Sequence, residues 1–223
     1  LSTVNIKHMT LISLYTTFLE EVNIPYDIIY IDKYGEEESI SAQNKYVYNL
    51  KIQREWNFLR KLLHYWGFKS YAEKILKENQ YDFIIVWNSF TAFMFSGFLS
   101  RNFPKRYCIN IRDYNHERIF PIYLRMKRVI SNSAFTTISS DGFRSFLPPH
   151  DYINIHSLNK KILIKCKKRE SLREYGEPIR ISFIGYVRFY ENDKKLIDAL
   201  GNDPRFIVQF FGEGAEVLER YAA

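Results

Sequence analysis

Met9, Ile12, Tyr15, Phe18, Leu19 and Val22 recur close to the 3.6-residue period of a helix, and Asn23, Ile24 and Pro25 end that pattern before the largely apolar run Tyr26 to Ile31. The pair reads as a helix followed by a strand. The polar, acidic segment Lys33 to Gln43 reads as a surface loop, and Leu50 to Leu76 as a long amphipathic helical region broken near Gly67. Phe83 to Trp87 has the continuous apolar character of a buried strand, and Asn88 or Ser89 is placed to cap a helix running through Leu99. A strand over Arg106 to Ile111, a basic amphipathic helix over Pro121 to Ile130, and short strands at Phe135 to Ser139 and Tyr152 to His156 complete this half. After Ile179 a strand, a glycine-bearing loop and a helix extend to Leu200, and a second strand, a Gly-x-Gly turn and a short helix follow.

Strands separated by helices throughout predict an α/β protein, with parallel Rossmann-like sheets covered by helices. Periodicity is lost between Asn159 and Glu177, where Lys160, Lys161, Lys165, Lys167, Lys168 and Arg169 cluster. This divides the chain into a first domain over 1–160, a linker over 161–178 and the beginning of a second Rossmann-like domain over 179–223. A doubly wound sheet normally needs more strand-helix units than the two visible in the second part. The chain is therefore expected to be truncated there, and, since it opens on Leu1, at its other end as well.

Composition narrows the classes further. The 46% hydrophobic and 17% aromatic content of 223 residues suits a packed core, and 32 Lys plus Arg against 25 Asp plus Glu give a formal charge of +7 that favours anionic partners. Cys108 and Cys166 have no metal or disulfide spacing, and no basic segment precedes an apolar signal core, so a reducing cytoplasmic setting is expected. Phe83 to Leu99 is interrupted by Asn88, Ser89 and Thr91 and divides more naturally into a strand and a helix than into a membrane span.

Three segments carry a family likeness: SFIGYVRFYENDKKLIDAL (Ser182 to Leu200), FIVQFFGEGAEVLE (Phe206 to Glu219) and AFTTISSDGFRSFLPPHDYINIHSLN (Ala134 to Asn159). In their order and spacing they resemble the GT-B glycosyltransferases, in particular the retaining group known as glycosyl transferases group 1 or family 4. The first is similar to that family's diphosphate loop, the second to its next strand and Gly-x-Gly turn, and the third to the end of its acceptor domain, where a strand ending in Ser leads to a helix, a strand and an Asn. IRDYNHE and IGYVRFYENDKKLIDAL look most like bacterial enzymes of capsular or other surface polysaccharide assembly. The resemblance implies a hexosyltransferase-like enzyme using a nucleotide sugar as substrate, with no separate cofactor or metal. A glycan or lipid-linked molecule would be the acceptor, and the enzyme would work at the inner face of a membrane. The chain departs from the family at several points. Gly185-Tyr186 stands where Gly-Arg is usual, Arg188 comes two positions later, and Lys194-Lys195 replaces Lys-Gly. The family's late pair of glutamates would lie beyond Ala223 and its first glycine-rich loop before Leu1, which leaves this chain incomplete for catalysis.

Candidate residues follow from chemistry and likeness together. A departing diphosphate needs positive charge and backbone N–H groups, which Gly185, Arg188, Lys194 and Lys195 offer, while Gly212 and Gly214 permit close backbone approach. A ligand-free strand-to-helix turn explains the same glycines. Arg112 and Asp113, following a strand, and His116 just beyond are the acceptor-side candidates: Asp113 or His116 to orient or deprotonate a hydroxyl, Arg112 to hold a phosphate. A capping Asp113 paired with Arg112 is the structural alternative. His156 is a further acceptor-side candidate, whereas His8, His64 and His150 have no metal spacing. Lys51, Arg54, Arg60 and Lys61, interleaved with Trp56, Phe58, Tyr65, Trp66 and Phe68, make a basic-aromatic stretch suited either to peripheral contact with an acidic bilayer or to an ordinary core helix. Other classes are a noncatalytic α/β nucleotide- or carbohydrate-binding protein and a dinucleotide oxidoreductase. The latter lacks G-x-G-x-x-G, and a nucleic-acid partner is not expected, because no recognition motif accompanies the charge.

Overall fold

The computed structural model of the chain describes residues 1–9, 12–35, 38–50, 58–114, 117–156, 164 and 176–222, with the side chains of 58–62 and 222 outside the description. The chain forms two compact units, Leu1–Leu163 and Ile164–Ala223.

In the first unit helix α1 (Ile12–Glu21) leads to strand β1 (Asp27–Asp32), which pairs in parallel with β2 (Asn44–Asn49). Helix α2 (Phe58–Glu78), β3 (Ile84–Trp87), α3 (Ser89–Asn102), β4 (Tyr107–Ile111), α4 (Phe120–Ser131), β5 (Phe135–Ile138) and β6 (Tyr152–Asn154) follow. β3 to β6 form a parallel sheet in sequence order. The segment Leu1–Ser2 joins it to the β1–β2 pair: Ser2 N donates to Ile29 O (2.9 Å) and Trp87 N donates to Leu1 O (2.9 Å). Across the sheet the order is β2, β1, Leu1–Ser2, β3, β4, β5, β6, that of a doubly wound sheet counted from Leu1–Ser2.

Alternation along the strands sends side chains to two faces. Ile29, Ile31, Ile84, Val86, Tyr107, Ile109 and Ile111 face a core closed by Phe68, Ala72, Phe95, Leu99, Met126 and Val129 of α2, α3 and α4. Ile28, Tyr30 and Trp87 face the other way, against Ile6, Met9, Ile12 and Tyr15 at and before the start of α1. The apolar strands are buried because helices cover both sides.

Three details differ from the sequence reading. β2 occupies 44–49, where no strand is expected; its NKYVYN sequence keeps polar ends because it lies at the sheet edge. Helix α2 passes straight through Gly67, whose missing Cβ makes room for Tyr48 of β2: a Cβ there would lie 2.3 Å from the Tyr48 hydroxyl. The glycine is a packing device, not a break. The helix expected after Ser139 is a single 3₁₀ stretch, Asp141–Ser145, its first turn capped by Ser140.

The second unit has β7 (Ile179–Ile184), α5 (Tyr190–Leu200), β8 (Phe206–Phe211) and α6 (Ala215–Ala222). β7 and β8 pair in parallel over their whole length, from Ile179 opposite Phe206 to Ile184 opposite Phe211. Of the lysine-rich connector only residues 164 and 176–178 are described.

Candidate functional site

In an open parallel sheet, neighbouring strands whose connections depart to opposite faces leave a crevice at their carboxyl ends. In the first unit that point lies between Leu1–Ser2 and β3. Polar side chains gather there although the strands below are apolar. Thr3 N donates to Thr91 Oγ1 (3.1 Å), the two threonine hydroxyls lie 2.9 Å apart, and Asn88 Oδ1 accepts from both Thr91 N (2.8 Å) and Thr91 Oγ1 (2.9 Å). Asn88 caps α3 in this way at φ 67° and ψ 159°, a backbone region that only glycine normally visits. A side chain is held there at a cost of about 1–3 kcal/mol.

The next strand adds a second polar group on the α1 side of the sheet. Asn110 is opposite Trp87 on β3 and Thr137 on β5 and is almost wholly buried, at 2% exposure. Its Oδ1 accepts from Thr137 Oγ1 (3.1 Å), and its Nδ2 has no acceptor among the described residues. Tyr15 reaches in from α1 with its ring edge-on to Trp87 at 5.4 Å. Burial raises the pKa of its phenol, opposed by a hydrogen bond with Thr137 and by the nearby Arg112 charge. A buried amide donor, a neutral phenol and a guanidinium thus converge beside the crevice, a set suited to a hydroxyl or oxyanion of a ligand.

The carboxyl end of β1 is occupied differently. Asp32 Oδ1 accepts from Asn5 Nδ2 (2.7 Å) and from the backbone N–H groups of Tyr34 and Gly35 (2.9 Å each), and Lys33 N donates to Asn5 Oδ1 (2.9 Å). These bonds fix the turn after β1 with the acid that a dinucleotide ribose would otherwise engage. A cavity of about 530 Å³ beneath α1 opens between the amino ends of β1 and β3, lined there by Asp27, Ile28, Phe83 and Ile84. Its lining continues beneath α1 to Tyr15 and Trp87, beside the crevice.

Of the acceptor-side candidates, Arg112 and Asp113 follow directly from β4. Arg112 is half-buried, and Asp113 is exposed, its carbonyl accepting from Ser89 Oγ at 3.4 Å. Asp113 does not cap α4, whose N-cap is Ile119 without a side-chain bond. His116 lies outside the described residues. His156 is exposed just past β6, the strand at the far edge of the sheet, beside Asp141, which accepts from Asn154 Nδ2 at 3.0 Å. Two strand spacings of ~4.8 Å separate its strand from β4, so the sheet holds it apart from Arg112 and Asp113.

In the second unit the turns after β7 and β8 interlock. Gly185 N donates to Phe211 O and Val187 N to Glu213 O (2.9 Å each), which extends the strand pairing into both loops. Gly212 at φ 135° passes so close that a Cβ would lie 2.0 Å from Gly185 O, and a Cβ on Gly214, at φ 91°, would lie 2.5 Å from Val187 O. Gly185, Gly212 and Gly214 are thereby brought together. Arg188 is exposed on the same turn, its guanidinium 5.7 Å from the Tyr186 ring centre and 5.8 Å from that of Phe189. Lys194 instead turns along α5 to Glu191 (3.0 Å) and over the Tyr221 ring (5.2 Å), and Lys195 is exposed beside it in the helix. With Glu191 and Asp193 in the first turn of α5, Arg188 is the predicted cation that the turn itself carries.

Thr3, Tyr15, Thr91, Asn110 and Thr137 were given no site role from sequence. Asn88 alone had a legible role, as a cap. No family model matches the chain, and no curated protein matches it. Among the described residues no helix is long and apolar enough to cross a membrane.

Proposed function

We propose that the chain belongs to a GT-B-type, retaining glycosyltransferase, in which the first unit receives a glycan or lipid-linked acceptor and the second a nucleotide sugar. The observation that carries the reading is the interlocked pair of glycine turns at the carboxyl ends of β7 and β8, with Arg188 on one of them. That arrangement leaves backbone open to a diphosphate and supplies a planar cation for it. In the reaction the bond from the sugar's anomeric carbon to the diphosphate oxygen breaks, a bond to the acceptor oxygen forms, and the acceptor hydroxyl gives up its proton. Arg188 offsets the charge gathering on the diphosphate. Arg112 and Asn110 Nδ2 hold acceptor oxygens, and Asp113 or His116 takes the proton. The nucleotide sugar is a substrate, so the scheme needs no resident cofactor. The setting is the cytoplasmic side of a membrane, in surface or capsular polysaccharide assembly.

Titration calorimetry with uridine, guanosine, adenosine, cytidine and thymidine diphosphates tests the donor side. At least one should bind, with Arg188→Ala weakening it about tenfold or more while the unfolding curve is unchanged. Absence of binding by every diphosphate at millimolar concentration overturns the proposal.

A further inference from the structure

The distribution of charge carries an inference that goes beyond the transferase reading and does not rest on it. Of the chain's 32 lysines and arginines, nine lie in α2, α3 and α4, against two of its 25 acidic residues, which leaves 23 of each sign everywhere else. The whole excess of +7 therefore sits on one helical layer. The two acids, Glu73 and Glu78, are each already paired with a lysine of α2, Lys69 at 3.7 Å and Lys74 at 3.8 Å. α4 has no carboxylate at all and carries Arg125, Lys127 and Arg128.

The same layer exposes large apolar side chains. Phe120 (70%) and Leu124 (47%) are one turn apart on α4, and Leu63 (70%) and Trp66 (60%) are neighbours on α2. Both helices run from the carboxyl ends of the strands back toward the amino ends, so all four residues lie at the same end of the layer, with α3 between. Cations frame them: Lys69 Nζ is 5.8 Å from the Trp66 ring centre, and Arg125 is 5.2 Å from that of Phe93 on α3. At ordinary helix spacing the patch is roughly 20 Å across.

We infer that the outer face of the α2–α3–α4 layer, at the end bearing Leu63, Trp66, Phe120 and Leu124, docks on an anionic lipid bilayer. The occupant follows from the pairing of the two features. Cations alone would suit any polyanion, but exposed Phe, Trp and Leu between them gain only from a phase that has apolar depth beneath a charged surface. Of the basic-aromatic stretch read in the sequence, Trp66 belongs to this surface, while Phe68 faces the core and Lys51, Arg54, Trp56 and the side chains of Phe58, Arg60 and Lys61 lie outside the described residues; α4 adds Phe120 and Leu124. Docking in this pose brings the carboxyl ends of the strands, where the polar crevice opens, to the bilayer side of the unit.

The test is co-sedimentation of the 223-residue chain with vesicles of phosphatidylcholine alone and of phosphatidylcholine with about one-third phosphatidylglycerol, near 0.1 M salt. Binding is expected to the acidic vesicles only, with a blue shift of tryptophan fluorescence that Trp66→Phe reduces. Phe120→Ser with Leu124→Ser, and separately Lys127→Glu with Arg128→Glu, should each lower the partition coefficient about tenfold or more. Lys45→Glu, off the layer, should leave it within about twofold, and all variants should keep the wild-type circular dichroism and melting curve. The inference is overturned if the wild type does not sediment with acidic vesicles, or if Phe120→Ser with Leu124→Ser binds them undiminished. Duplex DNA binding that matches vesicle binding and ignores the apolar substitutions overturns it in favour of a polyanion site.

Discussion

Replacing Asn110 by valine separates a residue kept for a ligand from one kept for the fold. An amide donor buried without an acceptor costs ~1–3 kcal/mol, and the hydrogen bond from Thr137 returns ~0.5–1.5 kcal/mol. Valine removes both, differs little in volume and favours a strand, and Thr137 Oγ1 retains Ile109 O at 3.4 Å. The expected change runs from about zero to a gain of ~2 kcal/mol, which for a chain of this size raises the melting temperature by up to roughly 8 °C. Substitutions in a buried strand usually destabilise, so even a neutral result is informative. The measurement is urea denaturation of wild type and Asn110→Val, read by circular dichroism. A loss of more than about 2 kcal/mol would refute the reasoning, since it would mean that Nδ2 already has a partner inside the fold.

Two further predictions follow from local geometry. Asn88→Gly gives up a side-chain cap worth little more than glycine itself provides and relieves a backbone strain of ~1–3 kcal/mol, so it should raise the urea midpoint; a lower midpoint would show that the conformation is unstrained. Tyr107 is fully buried, donates to Val129 O, and burial pushes its pKa up to about 12. Because the folded pKa lies above the unfolded value near 10, its contribution is whole below pH 10 and is lost as pH rises through 12, on the order of 2 kcal/mol. Comparing Tyr107→Phe with wild type at pH 8 and pH 11.5 should show the gap between them narrowing; a gap independent of pH counts against it.

β1, β3 and β4 were located to within a residue because a strand with helices on both sides is written as a largely apolar run, whereas β5 (FTTI) and β7 (IRISFI), placed as closely, mix apolar with polar positions. β2 escaped notice because an edge strand can afford Asn and Lys at its ends, and α2 was misdivided because a glycine in a helix looks the same whether it breaks the helix or admits a neighbour such as Tyr48. The candidate site positions divide along similar lines. Arg112 and Asp113 were visible because polar residues just past a strand lie where sheets bind ligands. Asn110 and Thr3 could not be, since a missing acceptor and a threonine pair 88 residues apart exist only once the sheet has closed. Lys194 shows the reverse: its sequence neighbours placed it near a phosphate, while the helix turned it to Glu191.

The turns at Gly185 and Gly212 mesh like the teeth of two gears, the carbonyl of one filling the notch left by the other's absent side chain. Neither can advance alone. Whatever settles on the first loop is registered by the second in the same motion, and amide exchange at Gly185 and Val187, whose N–H groups donate across to Phe211 O and Glu213 O, should slow together when either loop is occupied.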